Sequence, residues 1–254
     1  MTRLPDAFLK APIAHRGLHD VSSGRPENSP AAFLAAIEAG VGIELDLQLS
    51  KDGEAMVFHD YDLGRVTGET GPVRQRTAAE LGAIALTGWS DTIPTLRQVL
   101  ELVDGRVALL IELKDQDGAM GPETGPLEAA TARALLGYNG PVALMSFSAY
   151  SVAEAARLMP ELPHGLVTSP FDPEEMSLVP EARRETLSRI ADYDRVGASF
   201  ISHNHTDLGS ERVAELKSQG ADILCWTIRS QEQEDEARKV AANVTFEGYT
   251  PNRA

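Results

Sequence analysis

Segments with a strand pattern alternate with segments with a helix pattern along most of this 254-residue chain. The chain opens with an apolar run at 13–17, a polar loop, a helix pattern from Ser29-Pro30 to Gly40, and an alternating run at 43–49. Later strand patterns lie at 107–114, 142–147, 165–168, 199–202, 223–228 and 244–246. Helix patterns follow Thr95 and lie at 127–136, 151–158, 181–194, 210–219 and 231–240.

This order predicts an α/β fold, a (βα)8 TIM barrel in which helices surround a cylinder of parallel strands. A doubly wound open sheet is the alternative. The length suits one large α/β domain as well as two small ones. The chain has no GxGxxG after the first strand and no GxxxxGK[ST], so nucleotide binding at a phosphate loop has no support.

Two segments of the first half interrupt the alternation. The five residues 50–54, which include Lys51-Asp52-Gly53, separate the run at 43–49 from a second apolar run at 55–58. A parallel crossover needs a dozen or more residues, so these runs form either a hairpin or an extended connection. Residues 60–92 are rich in Thr, Gly and charge. We expect them to form a small insertion that lies over a site.

The charge and the cysteine content restrict the partners. The net charge is −15, which opposes binding to nucleic acid or to anionic lipid. Cys225 is the single cysteine, so neither an intramolecular disulfide nor a cysteine metal cluster can form. Residues 1–10 lack a long apolar segment, and no run approaches the length of a membrane span. We therefore expect a cytoplasmic protein without membrane insertion, and the sequence leaves its oligomeric state open.

Charged residues and histidines cluster at the ends of the predicted strands. In a barrel these ends share one face, where active sites lie. The acidic side chains are hard oxygen ligands suited to Mg²⁺ or Ca²⁺, the basic ones can hold a phosphate, and the histidines suit general acid–base catalysis. Together they suit cleavage of a phosphate ester assisted by a divalent cation. The residues are Glu44, Asp46 and Glu112 (acidic), Arg16 and Lys114 (basic), and His15 and His59.

Each residue also has a plain structural explanation. Glu112 and Lys114 could form an ion pair, Asp60 could cap the loop that follows it, and a histidine at a strand end is usually structural. The joint placement favours a functional site, because unrelated structural roles do not predict charges at the ends of several apolar strands.

The ordered motifs resemble those of the glycerophosphodiester phosphodiesterases, a family of the phospholipase C-like phosphodiesterase superfamily. The motifs are His15-Arg16-Gly17, Pro26-Glu27-Asn28-Ser29, Glu44-x-Asp46, Lys51-Asp52-Gly53, Val57-Phe58-His59-Asp60, Ile93-Pro94-Thr95-Leu96 and Ile111-Glu112-Leu113-Lys114. The resemblance is strong over 13–114 and weaker beyond, where Ser146-Phe147 and Trp226-Thr227-Ile228 look like later strands of the family.

The resemblance implies a single phospholipase C-like barrel domain over 1–254, with 60–92 as a small cap at its mouth. It implies that Glu44, Asp46 and Glu112 bind the cation, with Glu27 as a further candidate ligand. It also implies that His15 and His59 are the catalytic acid–base pair, that Arg16 and Lys114 hold the phosphate, and that Trp226 lines the pocket.

The chain departs from the family pattern in two places. Ser29 stands where the family usually has Thr, which keeps the hydroxyl. The family tends to end in Thr-Asp-x-Pro, whereas this chain has Thr245-Phe246-Glu247-Gly248-Tyr249-Thr250-Pro251. Glu247 is therefore a local difference of unassigned role.

We expect hydrolysis of a small-molecule glycerophosphodiester to glycerol 3-phosphate and an alcohol. The attacking group is either water or a neighbouring glycerol hydroxyl, which would give a cyclic phosphate first. One alternative is a lyase of the same barrel type that cuts a lysophospholipid to a cyclic phosphate. Another is a non-catalytic barrel that binds an anion, which the intact His15 and His59 pair disfavours.

Overall fold

Eight parallel strands close into a barrel, as the alternation predicts. A computed structural model describes residues 2–174 and 176–252. The strands are Ile13–Ala14 (β1), Gly42–Leu49 (β2), Ala55–Val57 (β3), Leu109–Leu113 (β4), Val142–Ser146 (β5), His164–Thr168 (β6), Phe200–Asn204 (β7), Asp222–Ile228 (β8) and Asn243–Phe246 (β9). Strand β1 pairs in parallel with both β2 and β9, which closes the cylinder and rules out the open sheet.

Helices follow most of the barrel strands. They are Ala7–Lys10 (α1), Pro30–Ala39 (α2), Ala78–Leu81 (α3), Leu96–Val103 (α4), Pro126–Leu135 (α5), Ala149–Leu158 (α6), Glu181–Ser188 (α7), Glu211–Ser218 (α8) and Gln231–Ala237 (α9). The helices expected at 181–194 and 231–240 are shorter than predicted. The chain beyond α7 turns away because Ile190 adopts a left-handed φ of 49°, which a helix does not accommodate.

The connection at 50–54 is a hairpin. Strand β3 lies antiparallel to the end of β2, with Leu47 opposite Val57 and Leu49 opposite Ala55. Gly53 supplies a φ of 85° in the turn, a conformation that costs glycine little. The antiparallel pair explains why no crossover helix is needed there, and β3 stands outside the eight barrel strands.

Alternate side chains of the strands fill the barrel interior. This cluster includes Leu110, Met145, Val167, Phe200 and Leu224, and Leu4 and Phe8 from the N-terminal segment pack into it. The Asn243 side chain donates hydrogen bonds to the carbonyls of Phe8 and Ala11, 2.7 Å each, which fixes that segment to β9. At the other end of the barrel, its mouth, charged side chains join Met145 and Val167 around a cavity.

Residues from β3 onwards build a small apolar core of their own. Its buried members are Met56, Phe58, Leu63, Val73, Leu81, Ile84, Leu86 and Ile93. Helix α3 begins with a capping box between Thr77 and Glu80, as the sequence predicts. Among the described residues, no helix is both long and apolar enough to cross a bilayer.

Candidate active site

Three carboxylates meet inside the barrel mouth. Glu44 and Asp46 share the inward face of β2, and the strand register places Asp46 beside Glu112 of β4. Their exposed fractions are 2%, 1% and 6%. One oxygen of each lies within 4.8 Å of one oxygen of the other two. The structure therefore brings together the three predicted cation ligands.

Burial and mutual repulsion make this carboxylate group electrostatically costly. Burial, followed by the charges of Asp46 and Glu112, raises the pKa of Glu44 well above its usual value. Burial also acts to raise the pKa of Asp46, but the cations around it, Lys114 first, outweigh that effect and hold it well below its usual value. Lys114 Nζ lies 3.0 Å from Asp46 Oδ1 and 2.7 Å from Glu112 Oε1.

Lys114 and Arg16 supply two positive charges against three carboxylates. Burial, together with the repulsion from Asp46 and Glu112, accounts for the raised pKa of Glu44. Oxygen donors at this spacing suit a hard divalent cation such as Mg²⁺ or Ca²⁺. The donor set thus fits the cation that the sequence motifs imply.

Two loop residues orient the carboxylates from the side of β1 and α2. The backbone N–H of Arg16 donates to Glu44 Oε2 at 2.9 Å, and Asn28 Nδ2 donates to Asp46 Oδ2 at 2.9 Å. Both donors have a left-handed φ of 54°. Such backbone strain in non-glycine residues is common at functional sites. Asn28 belongs to the Pro26–Ser29 motif, but sequence reasoning assigned it no role.

The two histidines each use Nδ1 to bind a carboxylate. His15 Nδ1 lies 2.6 Å from Glu247 Oε2, and His59 Nδ1 lies 2.6 Å from Asp60 Oδ1. An ionised carboxylate only accepts hydrogen bonds, so Nδ1 carries the proton and Nε2 is the free nitrogen. The hydrogen bond from His15 and the close approach of His19 keep the pKa of Glu247 far below its usual value. Both histidines line the same cavity as the carboxylates.

Glu27 is engaged with arginines. It accepts from Arg16 Nη1 at 2.9 Å and from Arg65 Nη1 and Nη2 at 2.7 and 2.6 Å. Arg65 also donates from Nε to Asp60 Oδ2 at 2.6 Å, which ties the partner of His59 to the Arg16 side of the mouth. Arg16 Nε lies 3.5 Å from Asp46 Oδ2. This buried nitrogen has no hydrogen-bond partner among the described residues.

One part of the cavity wall is apolar. The cavity has a volume of about 710 Å³, and Met145, Phe147, Val167 and Trp226 lie on this wall. The Trp226 ring meets Phe147 edge-on at 5.7 Å, and its Nε1 donates to the Ser202 carbonyl at 2.9 Å. Trp226 therefore lines the cavity, at the position that the sequence predicts.

Sequence reasoning missed the residues that hold the predicted ones in place. Asp60 follows His59 directly in the sequence, but the sequence suggested for it only a cap of the loop that follows. Glu247 pairs with His15 across 232 positions of sequence, a contact that only barrel closure creates. Arg65 and His19 carried no recognisable signal.

Several known proteins resemble this chain in sequence or fold over most of its length. The model of the glycerophosphoryl diester phosphodiesterase family matches residues 15–245. A glycerophosphodiester phosphodiesterase of Caldanaerobacter subterraneus is 30% identical over 246 residues, which cover 91% of this chain and 90% of that protein. A glycerophosphodiester phosphodiesterase of Bacillus subtilis is 28% identical over 245 residues, which cover 89% and 78%.

Solved structures of related proteins have the same fold as this chain. An Oleispira antarctica phosphodiesterase in complex with the product sn-glycerol-3-phosphate superposes with a TM-score of 0.78 at 25% identity, covering 95% of this chain and 94% of that one. A glycerophosphodiester phosphodiesterase of Thermotoga maritima has the same fold, with a TM-score of 0.70 at 23% identity and coverage of 93% and 94%. The chain belongs to the glycerophosphoryl diester phosphodiesterase family and is an enzyme of that kind.

Proposed function

We propose that this enzyme hydrolyses glycerophosphodiesters to glycerol 3-phosphate and an alcohol with the help of a divalent cation and two histidines. The observation that carries the proposal is that two carboxylate-oriented histidines and three buried carboxylates line one cavity. The sn-glycerol-3-phosphate bound to the similar Oleispira phosphodiesterase supports the nature of the product.

Glu44, Asp46 and Glu112 would hold the cation, Mg²⁺ or Ca²⁺. When bound, it offsets the negative charge that develops on the phosphate oxygens. Lys114, already between two of these carboxylates, and the buried Nε of Arg16 are the donors for the phosphate. In this proposal Glu27 orients Arg16 through their 2.9 Å contact, and its place as a further cation ligand remains a prediction.

One histidine accepts the proton of the attacking oxygen at Nε2, and the other gives a proton to the leaving alkoxide. Glu247 and Asp60 fix the two rings with Nε2 free, and stabilise each imidazolium when it forms. The apolar wall with Trp226 excludes water from its side of the cavity. Water and a neighbouring glycerol hydroxyl are both compatible with this arrangement as the attacking group.

A panel of substrates tests the proposal. Glycerophosphocholine, glycerophosphoethanolamine, glycerophosphoinositol and a lysophospholipid would be incubated with Mg²⁺, Ca²⁺ or a chelator, and the phosphorus products separated. We expect glycerol 3-phosphate from at least one glycerophosphodiester and none with chelator. Turnover that is insensitive to chelator contradicts the cation site, and a cyclic phosphate as the final product indicates a lyase instead.

A further inference from the structure

A second group of metal-binding side chains lies beside the carboxylates. It consists of His15, His19 and Glu247, and one ligand atom of each lies within 4.8 Å of those of the other two. His15 Nδ1 and His19 Nε2 approach the same carboxylate oxygen, Glu247 Oε2, at 2.6 and 3.5 Å. The side chains are 15%, 23% and 20% exposed, so they are largely enclosed but reachable from solvent.

His19 has no part in the hydrolysis described above. Its Nε2 atom is buried and has no hydrogen-bond partner in the part of the chain that the structure describes, although it lies 3.5 Å from Glu247 Oε2. Leaving a buried polar atom unpaired costs free energy. A cation held between His19 and Glu247 would satisfy this nitrogen and the carboxylate oxygen together.

We propose that His15, His19 and Glu247 form a site for a transition metal such as Zn²⁺, separate from the oxygen-only site of Glu44, Asp46 and Glu112. Two imidazole nitrogens and one carboxylate oxygen are donors that Zn²⁺ accepts, with a further position left for water. Mg²⁺ and Ca²⁺ prefer oxygen ligands and would remain with the three carboxylates. The barrel mouth would thus separate two metals by the softness of their ligands.

The surrounding charges are compatible with a moderate affinity. Arg229 lies against the other oxygen of Glu247, with Nε 2.9 Å from Oε1, so it opposes a cation but leaves Oε2 to the imidazoles. Glu44 Oε2 lies 4.0 Å from His15 Nε2 and attracts a cation from the other side. The site is therefore suited to reversible binding rather than to a permanent structural metal.

Metal at this site would inhibit the enzyme, a consequence that rests on the proposed role of His15. A metal at Nδ1 occupies the lone pair there, so the single proton of the neutral ring moves through solvent from Nδ1 to Nε2. The ring then has no lone pair at Nε2 with which to accept another proton. His15 could no longer pass between its base and acid forms, so Zn²⁺ would stop turnover without displacing Mg²⁺.

Equilibrium dialysis of the full chain tests the site without turnover. With Mg²⁺ in large excess to fill the carboxylate site, we expect one further equivalent of Zn²⁺ to bind. His19→Gln should weaken this binding at least about tenfold, because it removes one nitrogen ligand. His205→Gln serves as the matched control, because it removes a histidine outside both groups, and it should bind Zn²⁺ like the wild type. Equal affinity of His19→Gln and wild type overturns the proposal.

Co²⁺ in place of Zn²⁺ gives a spectroscopic readout of the same site. We expect visible absorption typical of low-coordinate Co²⁺ in the wild type and in His205→Gln, and its loss in His19→Gln, with thermal unfolding confirming that each variant is folded. In assays with excess Mg²⁺, Zn²⁺ should inhibit the wild type at concentrations at least about tenfold lower than for His19→Gln, each relative to its own uninhibited rate. Binding remains measurable even if the enzyme cleaves none of the tested diesters, so the two proposals fail separately.

Discussion

The two histidine–carboxylate pairs of the mouth have the same geometry but different origins. In both pairs Nδ1 lies 2.6 Å from a carboxylate oxygen. Asp60 follows His59 directly in sequence, whereas Glu247 reaches His15 from the end of β9, which pairs with β1. One pair is thus a local feature of a loop and the other a product of barrel closure. The same histidine–carboxylate geometry can therefore be assembled by short-range or by long-range folding.

The pairs also differ in what holds the carboxylate. Asp60 is bound by Arg65, which continues through Glu27 to the carboxylate side of the site. Glu247 lies between His15, His19 and Arg229, near the surface. Because its contacts come from two segments far apart in sequence, residues 15–19 and Arg229, Glu247 depends more on the closed barrel than Asp60 does.

Loss of either histidine should have the largest effect. We expect His15→Ala and His59→Ala each to lower kcat by roughly 10²–10⁴, because each would remove one of the two proposed proton-transfer groups. Steady-state kinetics on the best glycerophosphodiester, with circular dichroism as the control for folding, measures this. Near-normal kcat in a folded variant would remove that histidine from the mechanism.

Substitution of the carboxylates that bind the two histidines should lower kcat by smaller and unequal amounts. We expect Glu247→Gln and Asp60→Asn each to lower kcat at least roughly tenfold, because the rings lose the acceptor that selects the Nδ1–H tautomer. Glu247→Gln should be the more damaging of the two, since it also releases His19 and Arg229. The reverse order of kcat would show that the local pair, and not the long-range one, limits turnover.

Arginine substitutions test the ion pairs that hold Asp60 and Glu247. Arg65→Gln and Arg229→Gln each remove a cation that binds one of the two carboxylates. Since both arginines are about half exposed, we expect only a few-fold loss of kcat and less than about 1 kcal/mol of stability for each. Added salt should reduce the difference from wild type. A loss as large as that of the carboxylate variants would mean that the arginines act directly on the substrate.

His164 provides a contrast because it has no carboxylate hydrogen-bond partner within the described residues, and its Nε2 is unpaired. Burial lowers its pKa to about 4, below the value of about 6.5 in the unfolded chain. The unfolded state therefore binds the proton more tightly, and the stability present above pH 6.5 is lost as the pH falls towards 4.

Between pH 7 and pH 6 this histidine should lower the free energy of unfolding by less than about 1 kcal/mol. Urea denaturation at both pH values measures the change. His164→Gln should remove this part of the pH dependence even if its stability is lower throughout. An unchanged slope would show that His164 ionises alike in the folded and unfolded chains.

The parts of the fold and site that the sequence predicted are those with short-range signals. The barrel follows from alternating strand and helix patterns, and the positions of Glu44, Asp46 and Glu112 follow from strand periodicity. The early end of α7 depends on a positive φ at Ile190, a residue type with no preference for that conformation. The pairing of His15 with Glu247 required the register of β1 against β9, which no local pattern contains.

The central claim is that the two histidines act at one phosphodiester with opposite roles. A glycerophosphodiester of 4-nitrophenol tests it directly, because this leaving group departs without a proton. We expect one of the variants His15→Ala and His59→Ala to recover most of the wild-type rate on this substrate, while the other stays roughly 10²–10⁴-fold slow on it. Equal losses for both variants on the activated and the natural substrate would contradict the account.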